Sequence, residues 1–388
     1  MAYSFDDILT SLPRFRKAAE ELKETLLANL VMIGEIPAPT FDERERVEFL
    51  LNRFKEAKIS SNSVDEVGNG IGLVEGKGNN GSILAVAHAD TVFDGKVDHT
   101  IQVKPDTLTG VGVADNDLGL AVLATLPTIL DKLDISLNHN LILMATTRSL
   151  GRGNLEGLRF FLSNVDRPIK AGVGVEGVEL GRLSHTSIGM KRGEVICSVP
   201  KTYDWTRFGD ASAILTINEF INRINKIKLP QRPRTSIILG SIEGGSSFTT
   251  AKKVRLRFEI RSESSQMVED IHQNIREIVD EVASRSGDSV ELDIFAERHP
   301  GGLSFSHPLV FKTRQIMDHL DIEPHPGPST SELSAFIDYK IPAITLGITS
   351  GSNVRGEEES IKLEPIHTGI AQLIGTLLAI DGGYCEED

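Results

Sequence analysis

The sequence predicts an α/β protein in which a small α+β domain is inserted into a larger domain with a mixed sheet covered by helices. Short continuous apolar runs, typical of strands buried on both faces, alternate with amphipathic helical patterns in the first third of the chain and near its end. Between them the order becomes strand-helix-strand-strand-helix-strand, the pattern of a ferredoxin-like unit. The 388 residues, 40% hydrophobic and 25% charged, are enough for two or three cores.

The larger domain is predicted from buried-strand runs and the helices between them. Thr40 and Glu43 have the spacing of a capping box, so a helix is expected to begin there. Apolar runs predict strands at 83–87, 141–145, 171–175 and 341–348. Periodic stretches predict helices at 118–130, 154–162, 307–320 and 369–380.

The middle of the chain predicts the inserted domain. Val254, Leu256, Phe258 and Ile260 alternate with charged residues, as in a strand with one buried face. Further strands are predicted at 194–199, 235–242 and 290–294, with helical stripes at 214–224 and 267–282. We therefore expect one discontinuous domain at 1–185 and 298–388, with the inserted domain at 186–297.

Charge and composition argue against several classes of binding partner and cellular location. Asp and Glu number 55 against 41 Lys and Arg, a net charge of −14, which argues against nucleic acid and membrane surfaces as partners. We expect no apolar run to approach the ~20 residues of a membrane span, and the first residues lack the pattern of a signal peptide. Cys197 and Cys385 lie too far apart to suggest a disulfide framework. These observations predict a soluble, cytoplasmic protein.

Imidazole and acidic side chains gather at predicted strand ends. His88 and Asp90 follow the first buried run, Asp115 follows a glycine-rich turn, and Glu176 ends another run. Ligands of open α/β sheets bind at this edge, and nitrogen and oxygen donors of these types suit zinc. The alternative is a capping Asp115, a hydrogen-bonded His88 and a solvated Glu176.

Local strings then identify a family resemblance. The strings, in chain order, are EVGN (66–69), AHADTV (87–92), ADNDLG (114–119), GRGNLEG (151–157), VEG (175–177) and EGG (243–245). From about Ile36 to the C-terminus the chain resembles the co-catalytic zinc peptidase and deacylase family, which includes carboxypeptidase G, acetylornithine deacetylase, succinyl-diaminopimelate desuccinylase and peptidase T. The resemblance implies a zinc-exopeptidase-like domain with an inserted lid domain that is also the dimer surface.

Part of the family's site is matched. The resemblance implies that His88, Asp115 and Glu176 form the first metal site, with Asp115 the carboxylate that bridges to a second ion in the family. Asp90 matches the residue that orients the histidine, and Arg261 matches the arginine that binds the substrate's carboxylate. The family's peptide bond after the bridging aspartate is cis, so the same is expected at 115–116.

The remaining functional positions depart from the family. Ser149 stands at the position of the general base, and Leu150 at that of a ligand to the second metal. Tyr203 and Thr249 replace the lid histidine and asparagine that polarise the substrate carbonyl, and Arg355 replaces the C-terminal histidine ligand. A serine hydroxyl is a poor base, and leucine has no lone pair for a metal.

We expect one divalent metal, with zinc the expected ion, and no second metal site. By hypothesis the Arg355 guanidinium replaces the second ion and pairs with Asp115, since its planar fork of donors suits a carboxylate. The alternative is that Arg355 points into solvent.

The resulting function hypothesis is an impaired or non-hydrolytic homologue that binds a small peptide or N-acyl amino acid, as a homodimer joined through the lid domain. One alternative is an active single-metal amide hydrolase with a rearranged base such as His325 or Glu357. Another is a silent subunit that assembles with an active paralogue. His185 and His367 are expected to have structural or solvated roles, and the acidic run 357–359 is expected to be a solvated loop.

Overall fold

The computed structural model describes residues 3–59, 61–78, 81–199, 212–245 and 250–387. The chain divides into two compact units. Unit 1 comprises residues 1–187 and 302–388, and unit 2 comprises residues 188–301. The sequence patterns predict these borders at 186 and 297.

Ten α-helices occur in the described residues. They are α1 (Phe5–Glu21), α2 (Lys23–Gly34), α3 (Arg44–Glu56), α4 (Leu118–Lys132), α5 (Glu156–Asn164), α6 (Ala213–Ile224), α7 (Ser265–Ser286), α8 (Pro308–His319), α9 (Leu333–Asp338) and α10 (Ile366–Asp381).

The described residues also form seventeen strands, several of them very short. They are β1 (Ser61–Val64), β2 (Gly70–Val74), β3 (Ser82–His88), β4 (Gln102–Val103), β5 (Thr107–Thr109), β6 (Asn140–Thr146), β7 (Ile169–Val178), β8 (Arg182–Ser187), β9 (Gly189–Ser198), β10 (Thr235–Gly244), β11 (Lys253–Ser262), β12 (Ser289–Arg298), β13 (Gly301–Gly302), β14 (His325–Ser329), β15 (Ala343–Thr349), β16 (Gly351–Ser352) and β17 (Ser360–Lys362).

Unit 1 is built on a mixed sheet in the order β1-β2-β6-β3-β7-β15-β8. Strands β6, β3, β7 and β15 run parallel to their neighbours within this set, and β3, β6 and β15 are buried along their whole length. This confirms the predicted α/β class, because a parallel sheet covered on both faces needs continuous apolar strands. The carboxyl ends of these strands share one edge, and the candidate site lies there.

Helix α4 lies in the core of unit 1. The segment Val113–Lys132 that contains it is long and apolar enough to cross a membrane by length and composition, which corrects the expectation that no apolar run reaches that length. However, 94% of this apolar stretch is buried inside the protein. The apolar side chains of α4 pack in the main core of the unit, which accounts for its composition.

The predicted capping box is wrong. Helix α3 begins at Arg44, and its N-cap residue Glu43 makes no side-chain capping bond. The Thr40 hydroxyl instead donates to Asp90 Oδ2 at 2.8 Å, and Glu43 Oε1 accepts from the backbone N–H groups of Phe41 and Arg148. Both side chains therefore stabilise contacts to neighbouring loops rather than the helix start.

Unit 2 is a four-stranded antiparallel sheet in the order β10-β11-β9-β12, with α6 and α7 packed on it. The inward residues of β11 are the four predicted by alternation, and each is at most 2% exposed. They form one core with residues of α6 and α7 such as Ile217, Phe220 and Ile275. The element order is the predicted ferredoxin-like one.

Candidate metal centre

Three potential ligands converge at the carboxyl edge of the unit 1 sheet. His88 ends β3, Glu176 lies near the end of the parallel neighbour β7, and Asp115 lies in the turn before α4. One donor atom from each residue lies within 4.8 Å of the other two. All three side chains are at most 10% exposed. The three residues predicted as the first metal site therefore lie together.

His88 is held at both ring nitrogens. Nδ1 lies 2.8 Å from the backbone oxygen of Asp90, to which it can donate, and Nε2 lies 3.0 Å from Asp115 Oδ1. Burial would lower the pKa of His88, but the hydrogen bonds and charges of Asp115 and Asp90 outweigh it and hold the pKa well above its usual value. Because Nδ1 lies against the backbone oxygen of Asp90, Nε2 faces the cluster, which is the orientation that ligation of a metal through Nε2 requires.

Asp90 lies directly behind His88 and is fully buried. Its Oδ2 accepts from the Thr40 hydroxyl and from the backbone N–H of Leu150, each at 2.8 Å. Its Oδ1 lies 3.5 Å from His88 Nδ1. Asp90 therefore joins the histidine to two loops and occupies the place expected of an orienting carboxylate.

The pKa values of the two carboxylates of the cluster are shifted in opposite directions. Burial pushes the pKa of Asp115 upward, but His88 and then Arg355 offset this, so the pKa lies well below its usual value. Burial, followed by the charge of Asp115, raises the pKa of Glu176 to about 7. Carboxylates placed this close compete for one proton unless a cation neutralises them.

The turn from Ala114 to Asp117 ties the cluster together. The side-chain amide of Asn116 donates to Val175 O and accepts from Gly177 N, so it brackets Glu176. The Asp115–Asn116 peptide bond is cis, as the resemblance implies. Each residue of this turn bonds to a different segment, and the turn thereby positions ligands from distant parts of the chain.

A buried arginine links this turn to the His88 strand. Arg46, on α3, is 1% exposed and donates from Nη1 to Asp117 Oδ1 at 2.5 Å and to Ala89 O at 3.1 Å. Its Nη2 donates to Ile36 O at 2.6 Å. Removing one partner from such a buried pair would leave an uncompensated charge, so the contact favours a fixed arrangement. Arg46 was not predicted from the sequence, because a single arginine in an amphipathic helix has no distinguishing pattern.

Ser149 and Leu150, which are predicted at the other half of the site, follow strand β6. The hydroxyl of Ser149 lies 3.1 Å from the Thr146 hydroxyl, and the residue is 2% exposed. Leu150 contributes its backbone N–H to Asp90, as described above, and its side chain is a hydrocarbon. The loop after β6 thus keeps a backbone contact to Asp90 but has neither a base nor a metal ligand at these positions.

Arg355 contacts the cluster directly. Its Nε donates to Asp115 Oδ2 at 2.7 Å, on the carboxylate whose Oδ1 faces His88. The charge of Asp115 raises the pKa of Arg355 further. The pairing predicted by hypothesis is confirmed, and the alternative of an arginine directed only into solvent is wrong, although the side chain is 59% exposed.

Glu359 corrects the expectation of a solvated acidic run. Glu357 and Glu358 are exposed, but Glu359 is fully buried. Its carboxylate accepts from Ala114 N at 2.9 Å and from Arg355 N at 2.5 Å, and burial raises its pKa to about 7. It therefore fixes the loop that carries Arg355 to the turn that carries Asp115. Local charge density could not reveal a partner 245 residues away.

Two more charged residues near the cluster were missed. Glu332 is 4% exposed, and its Oε1 accepts from the Thr146 hydroxyl at 3.3 Å. Arg182, at the start of β8, places Nη1 3.8 Å from Glu176 Oε2. Arg182 lies only six residues after Glu176, and the turn between β7 and β8 could have suggested that contact.

The structure describes some, but not all, of the other predicted site residues. Arg261, in unit 2, donates from Nε to Glu259, and its side chain is 41% exposed. Tyr203 and Thr249 lie outside the described residues. His325 is exposed and is not part of the three-residue cluster, and Glu357 is exposed as well.

The two other histidines weighed from the sequence contact no cluster residue in the described chain. His185 lies with Nδ1 2.8 Å from Leu303 O and its ring beside Phe305. His367 is buried in α10, and burial lowers its pKa.

A sequence profile of peptidase family M20/M25/M40 matches residues 84–379. This range covers more than half of the chain and includes the three-residue cluster. No curated protein sequence matches the chain significantly.

Solved structures share the fold at low sequence identity. The di-peptidase Dug1p from Saccharomyces cerevisiae is 12% identical with a TM-score of 0.80, over 96% of this chain and 98% of that one. Human carnosine dipeptidase 1 is 10% identical with a TM-score of 0.76, over 95% and 99%. YXEP from Bacillus subtilis, described as a dinuclear metal-binding peptidase, is 12% identical with a TM-score of 0.65, over 93% and 99%.

Proposed function

The chain belongs to peptidase family M20/M25/M40, and we propose that it is a single-metal member that binds a carboxylate-bearing peptide or N-acyl amino acid, with amide hydrolysis impaired or lost. The observation that carries the proposal is the 2.7 Å hydrogen bond from Arg355 Nε to Asp115 Oδ2. In the family resemblance, Asp115 is the bridge between two ions. Here its second oxygen is bound by a cation of the protein itself.

The donors of the first site fit a divalent metal. One imidazole nitrogen and two carboxylates, whose donor atoms lie within 4.8 Å of one another, form a set that zinc accepts. His88 would ligate through Nε2, with Nδ1 bonded to Asp90 O, and Asp115 and Glu176 would supply the oxygens. An ion held there would serve as a Lewis acid toward a ligand oxygen.

The residues of the second site do not fit a metal. Leu150 offers no lone pair, and Arg355 brings a positive charge that repels a cation. Ser149 cannot serve as the base, and loss of a general base typically costs ~10²–10⁴-fold in rate. A second metal would supply several kcal/mol of charge stabilisation in addition. These losses support a protein that binds its ligand and hydrolyses it slowly or not at all.

The chain's own residues have separate roles in this proposal. Asp90 orients His88, and Asn116 and Arg46 maintain the spacing of the ligand-bearing segments. Arg355 compensates the charge of Asp115 in place of a second ion. For the ligand's carboxylate, the sequence resemblance suggests Arg261, and it suggests Tyr203 and Thr249 as further ligand contacts.

Metal content per chain tests the proposal. The full-length protein, equilibrated with zinc and then desalted, should hold one ion per chain by elemental analysis, and His88→Ala should hold none. A panel of dipeptides and N-acyl amino acids should bind to the loaded protein with turnover far below that of an ordinary family hydrolase. Two ions per chain, or brisk cleavage by carefully purified protein, would overturn it.

Glu332 supports a second candidate function, an active single-metal hydrolase. This buried carboxylate is anchored at Oε1 by Thr146, whose hydroxyl also bonds Ser149. Burial and the charge of Asp115 raise the pKa of Glu176 most, and the charge of Glu332 raises it as well. Glu332 is therefore better placed than the exposed His325 or Glu357 to replace the missing base. If the loaded protein turns over a substrate, Glu332→Gln should abolish that turnover and leave the metal content unchanged.

We propose that the protein is a homodimer joined through unit 2. Strand β10 is an edge of its sheet and pairs only with β11 among the described strands. Ile238 and Ile242 on this strand are 40% and 55% exposed, and Leu215 on α6 is 65% exposed. A second copy of β10 would satisfy the open edge and cover these side chains. Light scattering should give a dimer mass for the native chain and a monomer mass for Ile242→Lys.

We also propose a cytoplasmic location, which the cysteine chemistry supports. Cys197 and Cys385 are both free and buried, as expected of a protein that folds in a reducing compartment.

A further inference from the structure

The guanidinium groups of two arginines flank the cluster of His88, Asp115 and Glu176, and each has N–H donors that form no hydrogen bond to the described part of the protein. Arg355 donates to Asp115 through Nε alone, and Nη1 and Nη2 donate to no residue that the structure describes. Arg182 Nη1 lies 3.8 Å from Glu176 Oε2, beyond hydrogen-bond distance, and its guanidinium makes no other hydrogen bond or ion pair within the described ranges. Several N–H donors of each guanidinium therefore remain available.

The acidic side chains of the cluster are more deeply buried than the two arginines beside it. Side chains of Asp115 and Glu176 are 10% and 9% exposed, whereas those of Arg355 and Arg182 are 59% and 38% exposed. Asp90, beside His88, and Glu359, which accepts from Ala114 N, have no exposure at all. The acidic groups thus form a buried floor, and the two cations lie toward solvent.

A divalent ion at the cluster would change what the arginines face. Two carboxylates and a neutral imidazole balance the charge of such an ion. Arg355 and Arg182 would then lie beside a neutral centre, so their charges would no longer be compensated by Asp115 and Glu176. Guanidinium groups with free N–H donors bind carboxylates by paired, charge-assisted hydrogen bonds.

We propose that Arg355 and Arg182 form an anion subsite in unit 1 that binds the carboxylate of a ligand whose amide oxygen is directed to the metal site. This inference rests on the single-metal function proposed above. It assigns recognition of the carboxylate to residues beside the cluster rather than to Arg261. The ligand class is a short N-acyl amino acid, in which one carboxylate lies a few bonds from an amide oxygen.

Calorimetry on the full-length, zinc-loaded chain tests the subsite with two probes, N-acetylglycine and N-acetylglycinamide. The probes differ only in the carboxylate. We expect the acid to bind at least tenfold more tightly than the amide, and we expect Arg182→Gln to reduce that preference to less than threefold. Arg355→Lys should also weaken it, because an ammonium group lacks the planar fork. Arg44→Gln, which removes an exposed arginine on α3, is the matched control and should keep the full preference.

Metal content is measured on each variant first, so that two failures can be told apart. If the native chain holds no metal, the proposed function is wrong. If it holds one ion and binds acid and amide equally, or binds neither, only the subsite is wrong. Loss of the preference in Arg261→Gln, with the preference kept in Arg182→Gln, would also overturn the subsite. Inorganic phosphate that binds more tightly than N-acetylglycine would contradict the assignment to a carboxylate.

Discussion

The two halves of the candidate centre share a backbone framework but differ in chemistry. Around His88, one donor atom from each of the three predicted ligands lies within 4.8 Å of the other two. Buried hydrogen bonds from Asn116 hold the residues on either side of Glu176. Around Leu150, the backbone still bonds to Asp90, yet the side chains are a hydroxyl, a hydrocarbon and a guanidinium. The difference shows that the backbone position of a loop does not depend on the chemistry of its side chains, because the contact from Leu150 to Asp90 is made by the backbone N–H.

Restoring the altered half should have the largest effect. In Ser149→Glu/Leu150→Glu/Arg355→His, the base and both missing ligands return, so metal content should rise from one ion per chain to two. The rate of dipeptide hydrolysis should rise by ~10²-fold or more, because ~10²-fold is the low end of what a general base typically contributes. Elemental analysis and a peptide-cleavage assay measure these changes. The double variant without Arg355→His is the control, and a triple variant that stays at one ion would refute the assigned positions.

Removing the intact half should abolish metal binding. His88→Ala deletes the only nitrogen ligand of the cluster, so zinc affinity should fall by more than the ~100-fold that outer contacts typically contribute. The native chain at a free zinc concentration of about 100 times Kd should gain ~2.7 kcal/mol of stability by mass action. His88→Ala should gain none in thermal unfolding. His319→Ala, on the exposed surface of α8, should respond to zinc like the native chain.

Disturbing the orienting contact should have a smaller effect. Asp90→Asn keeps the size of the side chain but removes the charge beside His88 Nδ1. We expect zinc affinity to fall by ~10–100-fold, the usual range for such outer contacts, while one ion still binds at saturating zinc. Competition with a chelating dye measures the affinity. Asp318→Asn, at an exposed position of α8, is the matched control, and equal affinity in both variants would show that Asp90 does not orient the ligand.

Removing Arg355 alone should have the smallest effect. The side chain is 59% exposed, so its ion pair with Asp115 should contribute no more than ~1 kcal/mol to stability. Arg355→Gln should still hold a single ion, because Leu150 continues to lack a donor. Denaturant unfolding and elemental analysis check both statements. A second ion in this variant would mean that repulsion by Arg355 alone excludes it.

Short-range patterns predicted much of the fold. The apolar runs at 83–87 and 141–145 became β3 and β6 with one more residue at each end, because a strand buried on both faces needs a continuous apolar stretch. The capping box failed for the opposite reason. Thr40 has a partner 50 residues away, and that bond to Asp90 overrides the local preference.

The site was predicted less completely than the fold. His88, Asp115 and Glu176 stand in recognisable strings, and Arg355 was found by its position in the resemblance. Glu359, Glu332 and Arg46 are charged residues that each have a partner 71 to 245 residues away in sequence. Their burial depends on tertiary packing, and no periodicity in the chain marks such residues.

The turn at 114–117 has a consequence for how such a centre can change over time. The turn bonds to Glu359, to the residues on either side of Glu176, and to Arg46. The groups involved are mostly backbone groups and buried side chains that are not predicted to ligate a second ion. Ligands outside the turn can therefore be exchanged one by one while the skeleton of the centre persists. A protein engineer could use the same skeleton to install a different donor at 150 or 355 without redesigning the sheet.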